Sequence, residues 1–215
     1  GDPDFEWIEL YNDNINPLSL TGYKLGDVET PGGGEGILLF PEGTAILPGQ
    51  TLVIANRAED FKAQYQFSPQ FEINDSDDQV PDMLRHSSWA DGSVNLSNSG
   101  DEVLLLGTHN ELVDSLSWGS STFAFDPSVP NVTEGHSLER YPPSSDSDTA
   151  FDWRDQAYPA PGEVDLTPPT STPTPTFTPT PTDVPAPTPV PTLVINEIHA
   201  DPDAINGDAN GDGIL

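Results

Sequence analysis

The two ends of this 215-residue chain read as the halves of one interrupted loop. The last residues run Asp208-Ala209-Asn210-Gly211-Asp212-Gly213-Ile214-Leu215, and the first run Gly1-Asp2-Pro3-Asp4. Joined tail to head they place acids at the first, fifth and twelfth positions, Asn at the third and Gly at the sixth. An EF-hand-type calcium loop asks for oxygen ligands at positions one, three and five, a backbone carbonyl at seven and a carboxylate at twelve. Its glycine at six allows the sharp turn. The pattern nominates Asp208, Asn210, Asp212, Ile214 (through its carbonyl) and Asp4 as ligands of a calcium ion. An Asp at position twelve donates one oxygen where the usual Glu donates two, which weakens or reshapes the site. The half-loop alone suits a solvated Asp/Asn/Gly turn equally well, and it is Asp4 falling on position twelve that favours calcium. Neither end is a complete site by itself. The expectation is a repeat unit cut inside a domain, or a subunit whose tail completes a neighbour.

The chain carries 36 acidic residues against 6 basic ones, a formal net charge of -30. Such a surface repels nucleic acid and anionic membranes, both of which call for a Lys/Arg footprint. Divalent cations suit it. There is no cysteine, so no disulfide staples the fold and no thiol chemistry is available. No apolar run approaches the length of a membrane span.

Residues 1–163 predict an all-β domain. Phe5 to Tyr11 alternates, with Phe5, Trp7, Glu9 and Tyr11 on one side and Glu6, Ile8 and Leu10 on the other. Further strands are expected over Leu18 to Leu25, Gly36 to Phe40, Gln50 to Ala55, Glu102 to Leu106 and Leu112 to Trp118. Turn signals such as Leu47-Pro48-Gly49-Gln50 and Asn98-Ser99-Gly100-Asp101 punctuate them. Only Arg57 to Tyr65 has a helical pattern, with Ala58, Phe61, Ala63 and Tyr65 giving a weak apolar face. Short strands at this spacing argue for a β-sandwich or barrel.

Residues 164–192 form a linker, and from Thr167 to Thr192 it is nearly a Pro/Thr/Ser lattice. Alternate prolines bias such a run to polyproline II, and at about 3.1 Å per residue it spans roughly 80 Å as a semi-rigid spacer. Residues 193–215 then begin anew: Leu193-Val194-Ile195-Asn196-Glu197-Ile198 is a compact β-branched strand followed by the half-loop. A lone strand leaves its backbone groups unpaired and its apolar face wet, so it needs a sheet to join. The linker is long enough to deliver that strand back to its own sandwich, as well as to a neighbour's.

Taken in rotated order, these segments resemble the bacterial branch of the lamin tail domain family, an immunoglobulin-like β-sandwich. The resemblance rests on a first strand like Val194-Ile195-Asn196-Glu197-Ile198-His199-Ala200-Asp201-Pro202 and a later one like Phe5-Glu6-Trp7-Ile8-Glu9-Leu10-Tyr11-Asn12. Segments similar to Phe40-Pro41-Glu42-Gly43-Thr44-Ala45-Ile46-Leu47-Pro48-Gly49-Gln50 and Leu96-Ser97-Asn98-Ser99-Gly100-Asp101-Glu102-Val103-Leu104-Leu105-Leu106 follow. Here the family's first strand sits last, and the rotation that restores family order also restores the calcium loop. The resemblance implies an accessory module of secreted or cell-surface proteins, without catalytic residues of its own.

The remaining chemistry-bearing residues are weaker candidates. Asn74-Asp75-Ser76-Asp77-Asp78 and Ser145-Asp146-Ser147-Asp148 read as solvated loops before cation sites. His86, His109, His136 and His199 show no metal-ligand spacing. His199-Ala200-Asp201 has no nucleophile beside it and reads as a strand end. Trp89 and Trp153 read as core before sugar platform. Two functional expectations follow. The first is a non-catalytic structural unit of an extracellular or cell-surface filament, joined head-to-tail to copies of itself by strand addition and calcium. The second is an accessory module that binds a glycan or protein through its end loops.

Overall fold

The structure, a computed structural model, describes residues 2–27, 30–90, 92–167 and 193–201. After a short 3₁₀ turn at Asp2–Phe5, the strands are β1 (Trp7–Asn12), β2 (Leu18–Ser19), β3 (Lys24–Gly26), β4 (Ile37–Leu39), β5 (Ala45–Ile46) and β6 (Thr51–Ala55). Helix α1 (Ala58–Tyr65) leads to β7 (Phe71–Glu72), β8 (Leu84–Arg85), β9 (Glu102–Leu106), β10 (Leu112–Ser117), β11 (Ser137–Arg140) and β12 (Trp153–Gln156). The last strand, β13, is Leu193–His199.

Two main sheets form, one in the order β12-β11-β13-β1-β6-β7 and the other β10-β9-β3-β4-β8, with β2 and β5 as a separate pair. Inward residues of both sheets meet in one hydrophobic core. Ile8, Leu10, Ile54, Leu138, Ile195 and Ile198 come from the first sheet, and Leu25, Leu38, Val103, Leu105 and Leu116 from the second. This is the expected immunoglobulin-like sandwich.

The outer faces are covered as well, so strands expected to have one wet side are buried on both. Trp7, Val53 and Ala55 pack beneath Phe61 of α1, and the Trp7 indole N–H donates to the Tyr65 hydroxyl at 3.1 Å. On the other sheet Ile37, Leu104 and Leu106 are covered by Ala90 and Trp89. The start of α1 lacks a side-chain cap of its own; instead the Glu72 carboxylate on β7 accepts the Ala58 N–H at 2.9 Å. Gln66 closes the helix in the left-handed region, at φ 64°. The single strand expected over Leu18 to Leu25 divides into β2 and β3, because Gly22, at φ 83°, turns the chain between them. Among the described residues no helix is long and apolar enough to cross a membrane.

Candidate functional site: the seat of the last strand

The strand expected to complete a neighbouring sandwich completes the sandwich of its own chain in this structure. β13 lies in the interior of the six-stranded sheet, antiparallel to β1 on one side and to β11 on the other. Every residue from Leu193 to His199 is buried. Trp7 pairs with His199 and Asn12 with Leu193, so β1 contacts the strand along its whole length. The register slips once, between Glu9 and Leu10, which face Glu197 and Ile195. Asn196 is the extra residue of this bulge. That slip is what lets Leu193, Ile195, Ile198 and Ala200 all reach the core, since strict alternation would turn Ile198 and Ala200 outward.

On its other side β13 has a shorter partner. β11 pairs with it only at Leu138–Ile198 and Glu139–Glu197. Beyond the bulge two side chains take over. Asp114 of β10, in the opposite sheet, accepts the Ile195 N–H at 2.7 Å, while the Arg140 Nε of β11 donates to the Ile195 carbonyl at 2.9 Å. Arg140 and Asp114 are themselves joined by Nη2 hydrogen bonds of 2.9 and 2.7 Å. The guanidinium also lies over Trp153, 4.7 Å from the ring centroid. Burial pushes the Asp114 carboxyl up to about 6, and Arg140 with the Ile195 N–H offsets part of that rise. The pair is thus charged at neutral pH and stands in for the missing length of β11.

The outer face of the seat is polar and closed. Glu9, Glu197 and Glu139 stand in register on β1, β13 and β11, with Arg154 of β12 next in the row. The chain at 160–165 runs over them: Ala160 N–H donates to Glu197 at 3.2 Å and Gly162 N–H to Glu9 at 2.5 Å. Asn196 donates to Glu9 at 2.8 Å and the Ser137 hydroxyl to Glu197 at 2.5 Å. Arg154 binds Glu139 and Asp165 at 2.6 and 2.7 Å. Burial pushes Glu9 up to about 8 and Glu197 up to about 7, and it raises Glu139 against the pull of Arg154. Glu197 Oε2 and Asn196 Oδ1 are buried without a hydrogen-bond partner. His199 is fully enclosed, with the backbone of Phe5 and Gly135 near its ring but neither ring nitrogen in a well-formed hydrogen bond. Burial pulls it down to about 3, so it is a neutral ring at the strand end.

Of the expected calcium ligands, Asp4 lies in the 3₁₀ turn before β1, with its carboxylate 4.0 Å from Arg57 Nε. Asp208, Asn210, Asp212 and Ile214 lie outside the described residues. The antiparallel pairing of His199 with Trp7 brings the exit of β13 and the entry of β1 to the same end of the sheet. The Asp201 carboxylate there accepts the Asn98 amide at 2.6 Å, and its carbonyl accepts the Gly135 N–H at 2.7 Å. In the acidic stretch after Asn74, Asp75 comes within 4.8 Å of Glu72 and Asp82, but the Glu72 oxygens already accept from Ala58, Ser76 and Asp77. The stretch at Ser145–Asp148 folds around the Asp152 carboxylate, which takes Ser145 and Ser147 hydroxyls at 2.9 Å. Trp153 joins the main core, and Trp89 packs against the smaller cluster, so neither is a free sugar platform.

Glu9, Asp114, Ser137, Glu139 and Arg140 are the seat residues that sequence reasoning passed over. Glu9 is a lone acid in an apolar strand that bonds Asn196 across 187 positions of sequence, while Ser137, Glu139 and Arg140 make up most of the short polar strand β11. The hint available was an acid at the centre of each of two apolar strands, Trp7–Asn12 and Leu193–His199.

No curated protein matches the chain. A family model described as Lamin Tail Domain matches residues 1–120, which span β1 to β10 and α1 and stop short of β11, β12 and β13. With more than half of its length matched, and a strand sandwich of the expected kind, the chain belongs to the lamin tail domain family.

Proposed function

We propose that this chain is a non-catalytic structural unit of an extracellular or cell-surface fibre, in which β13 of one copy occupies the seat of the next. The observation that carries the reading is the position of β13. It is an interior strand, buried at every residue, yet the Pro/Thr-rich run after Thr167 separates it from the rest of the sandwich. A strand on such a tether meets the same seat in its own chain or in a second copy. The choice between them is set by effective concentration, which depends on linker length and stiffness. Calcium bound by Asp208, Asn210, Asp212, Ile214 and Asp4 would pin the exit of β13 to the entry of β1, since these lie at one end of the sheet. The net charge of -30 suits a calcium-containing exterior.

The experiment is light scattering with negative-stain microscopy on the full chain, refolded over a range of concentrations with and without calcium. A second sample carries a deletion inside 168–192 that prevents the strand from reaching its own sandwich. Concentration-dependent chains of particles, enhanced by the deletion, support the reading. A monomer throughout, with the deleted form unfolded rather than polymeric, overturns it.

A further inference from the structure

The outer face of the β13 seat holds more acid than it has cation to balance. Three carboxyl side chains, Glu9, Glu197 and Glu139, stand side by side on β1, β13 and β11. Arg154 on β12 reaches Glu139 and is shared with Asp165 of the overlying segment. Directly opposite strand positions bring like charges close enough to repel. The remaining neighbours of the Glu9–Glu197 pair are neutral: the Asn196 amide, the Ser137 hydroxyl, the Ala160 and Gly162 N–H groups, and Tyr65 of α1, whose own hydroxyl accepts from Trp7. His199, one strand turn along β13, is enclosed and uncharged. One oxygen of Glu197 has no hydrogen-bond partner among the described residues, although the side chain is wholly buried.

We infer that Glu9 and Glu197 act as a proton-operated latch on this seat: protonated, they hold β13 beneath the 160–165 segment, and ionised together they drive the strand out and open the slot to a second copy. The inference rests on the reading that β13 is exchanged between chains. It adds what governs the exchange. The covering segment is part of the device, because its two N–H groups reach one acid on each strand and because it leads directly into the tether. Lifting it wets both carboxyls at once.

The direction with pH follows from burial. With β13 released, Glu197 on the free strand and Glu9 on the uncovered face of β1 both titrate near the ordinary 4.5. In the closed seat Glu9 is pushed up to about 8 and Glu197 to about 7. Docking therefore takes up protons between those limits. The two acids favour docking most at or below about pH 4.5 and least above about pH 8. His199, held neutral in the seat, opposes docking as pH falls below about 6.5.

The test uses the full chain and a fluorescently labelled peptide of residues 193–201, with capture followed by anisotropy. Capture should be about tenfold or more faster at about pH 8.5 than at about pH 5.5, and Glu9→Gln should flatten most of that ratio. Glu197→Gln in the chain serves as a second variant if Glu9→Gln does not fold. Asp27→Asn is the control: Asp27 is also buried and raised to about 7, but its partners are Gly36 and Asn95, outside the seat. Equal capture at both pH values overturns the latch while strand exchange stands. So does a pH ratio that Asp27→Asn abolishes, or one accompanied by loss of the folded tryptophan signal. Capture at neither pH, in any variant, removes strand exchange itself and the latch with it.

Discussion

Arg140 and Asp114 meet across the two sheets in a two-pronged ion pair, and between them they hold both backbone groups of Ile195. The pair is buried, with both side chains no more than 2% exposed. Its position at the end of the β11–β13 pairing makes it a replacement for strand backbone, with side-chain atoms supplying the donor and acceptor that β11 does not.

Removing one partner leaves an uncompensated charge and an unpaired peptide group in the core. Asp114→Ala should therefore cost about 3–5 kcal/mol in urea unfolding. Arg140→Met should cost a similar amount. In a double-mutant cycle the pair should be strongly non-additive, the double variant costing much less than the sum of the two. Additive losses would mean the two side chains act on β13 separately.

The bulge makes a second prediction. Deleting Asn196 removes the extra residue, so that Glu197 follows Ile195 directly and Ile198 and Ala200 keep facing the core in strict alternation. The deletion should therefore leave the strand docked, read as a tether no more open to protease than the parent's and a folded tryptophan signal that is kept. Asn196→Ala keeps the register and loses only the amide bond to Glu9, a loss of about 1–3 kcal/mol. A deletion variant cleaved as rapidly as an unfolded chain would mean that the bulge itself is needed to seat the strand.

These two cases mark how far the sequence could be read. Alternation placed Ile8 and Leu10 opposite Trp7, Glu9 and Tyr11, and that division holds. The strands over Glu102–Leu106 and Thr51–Ala55 and the helix over Ala58–Tyr65 were visible because their patterns are long or strongly apolar. β5, β7 and β8 are two residues each, below the length at which any period can register. β11 and β12 carry Ser-Leu-Glu-Arg and Trp-Arg-Asp-Gln, too polar to announce a buried strand and its edge partner, and Arg154 of β12 pairs with Glu139 of β11. The last strand was legible as a strand in need of a sheet. Which groups would line its seat was not, since a lone acid in a strand normally means a solvated face.

Histidine at the strand end has a pH signature opposite to that of the acids. The folded state holds His199 at about 3, below the ordinary 6.5, so it favours the unfolded chain once pH falls through that range. Its contribution to stability is complete above about 6.5 and is lost as pH falls toward 3. In a histidine NMR titration its ring should remain neutral through about pH 4. His199→Phe should raise the urea midpoint at about pH 4 relative to the parent, and a midpoint equally shifted at pH 7 would point to packing instead.

Calcium makes the fourth case. If Asp208, Asn210, Asp212 and Asp4 share an ion, saturating calcium at about 100 times its dissociation constant should stabilise the folded chain by about 2.7 kcal/mol. Asp208→Asn with Asp212→Asn should remove that increment, and Asp4→Asn should reduce it. Calcium titration by calorimetry reads the site directly, and heat unchanged by these substitutions would assign the ion elsewhere.

The order of strands along the chain has a consequence for biosynthesis. The six-stranded sheet is assembled from pieces at both extremes of the described sequence, with β13 joined to β1 across nearly the whole chain. Because translation runs from the N-terminus, β1 and β11 are made well before the strand that lies between them, and the Pro/Thr-rich run must be synthesised in the interval. Until Leu193–His199 emerges, each nascent sandwich carries an open cleft shaped for that strand, and pairings of such long sequence separation form slowly. If strands are exchanged between copies, a neighbour's strand on a crowded polysome competes for that cleft with the chain's own. Whether copies become linked would then be decided during synthesis, by the spacing of ribosomes and the rate at which the proline-rich codons are read.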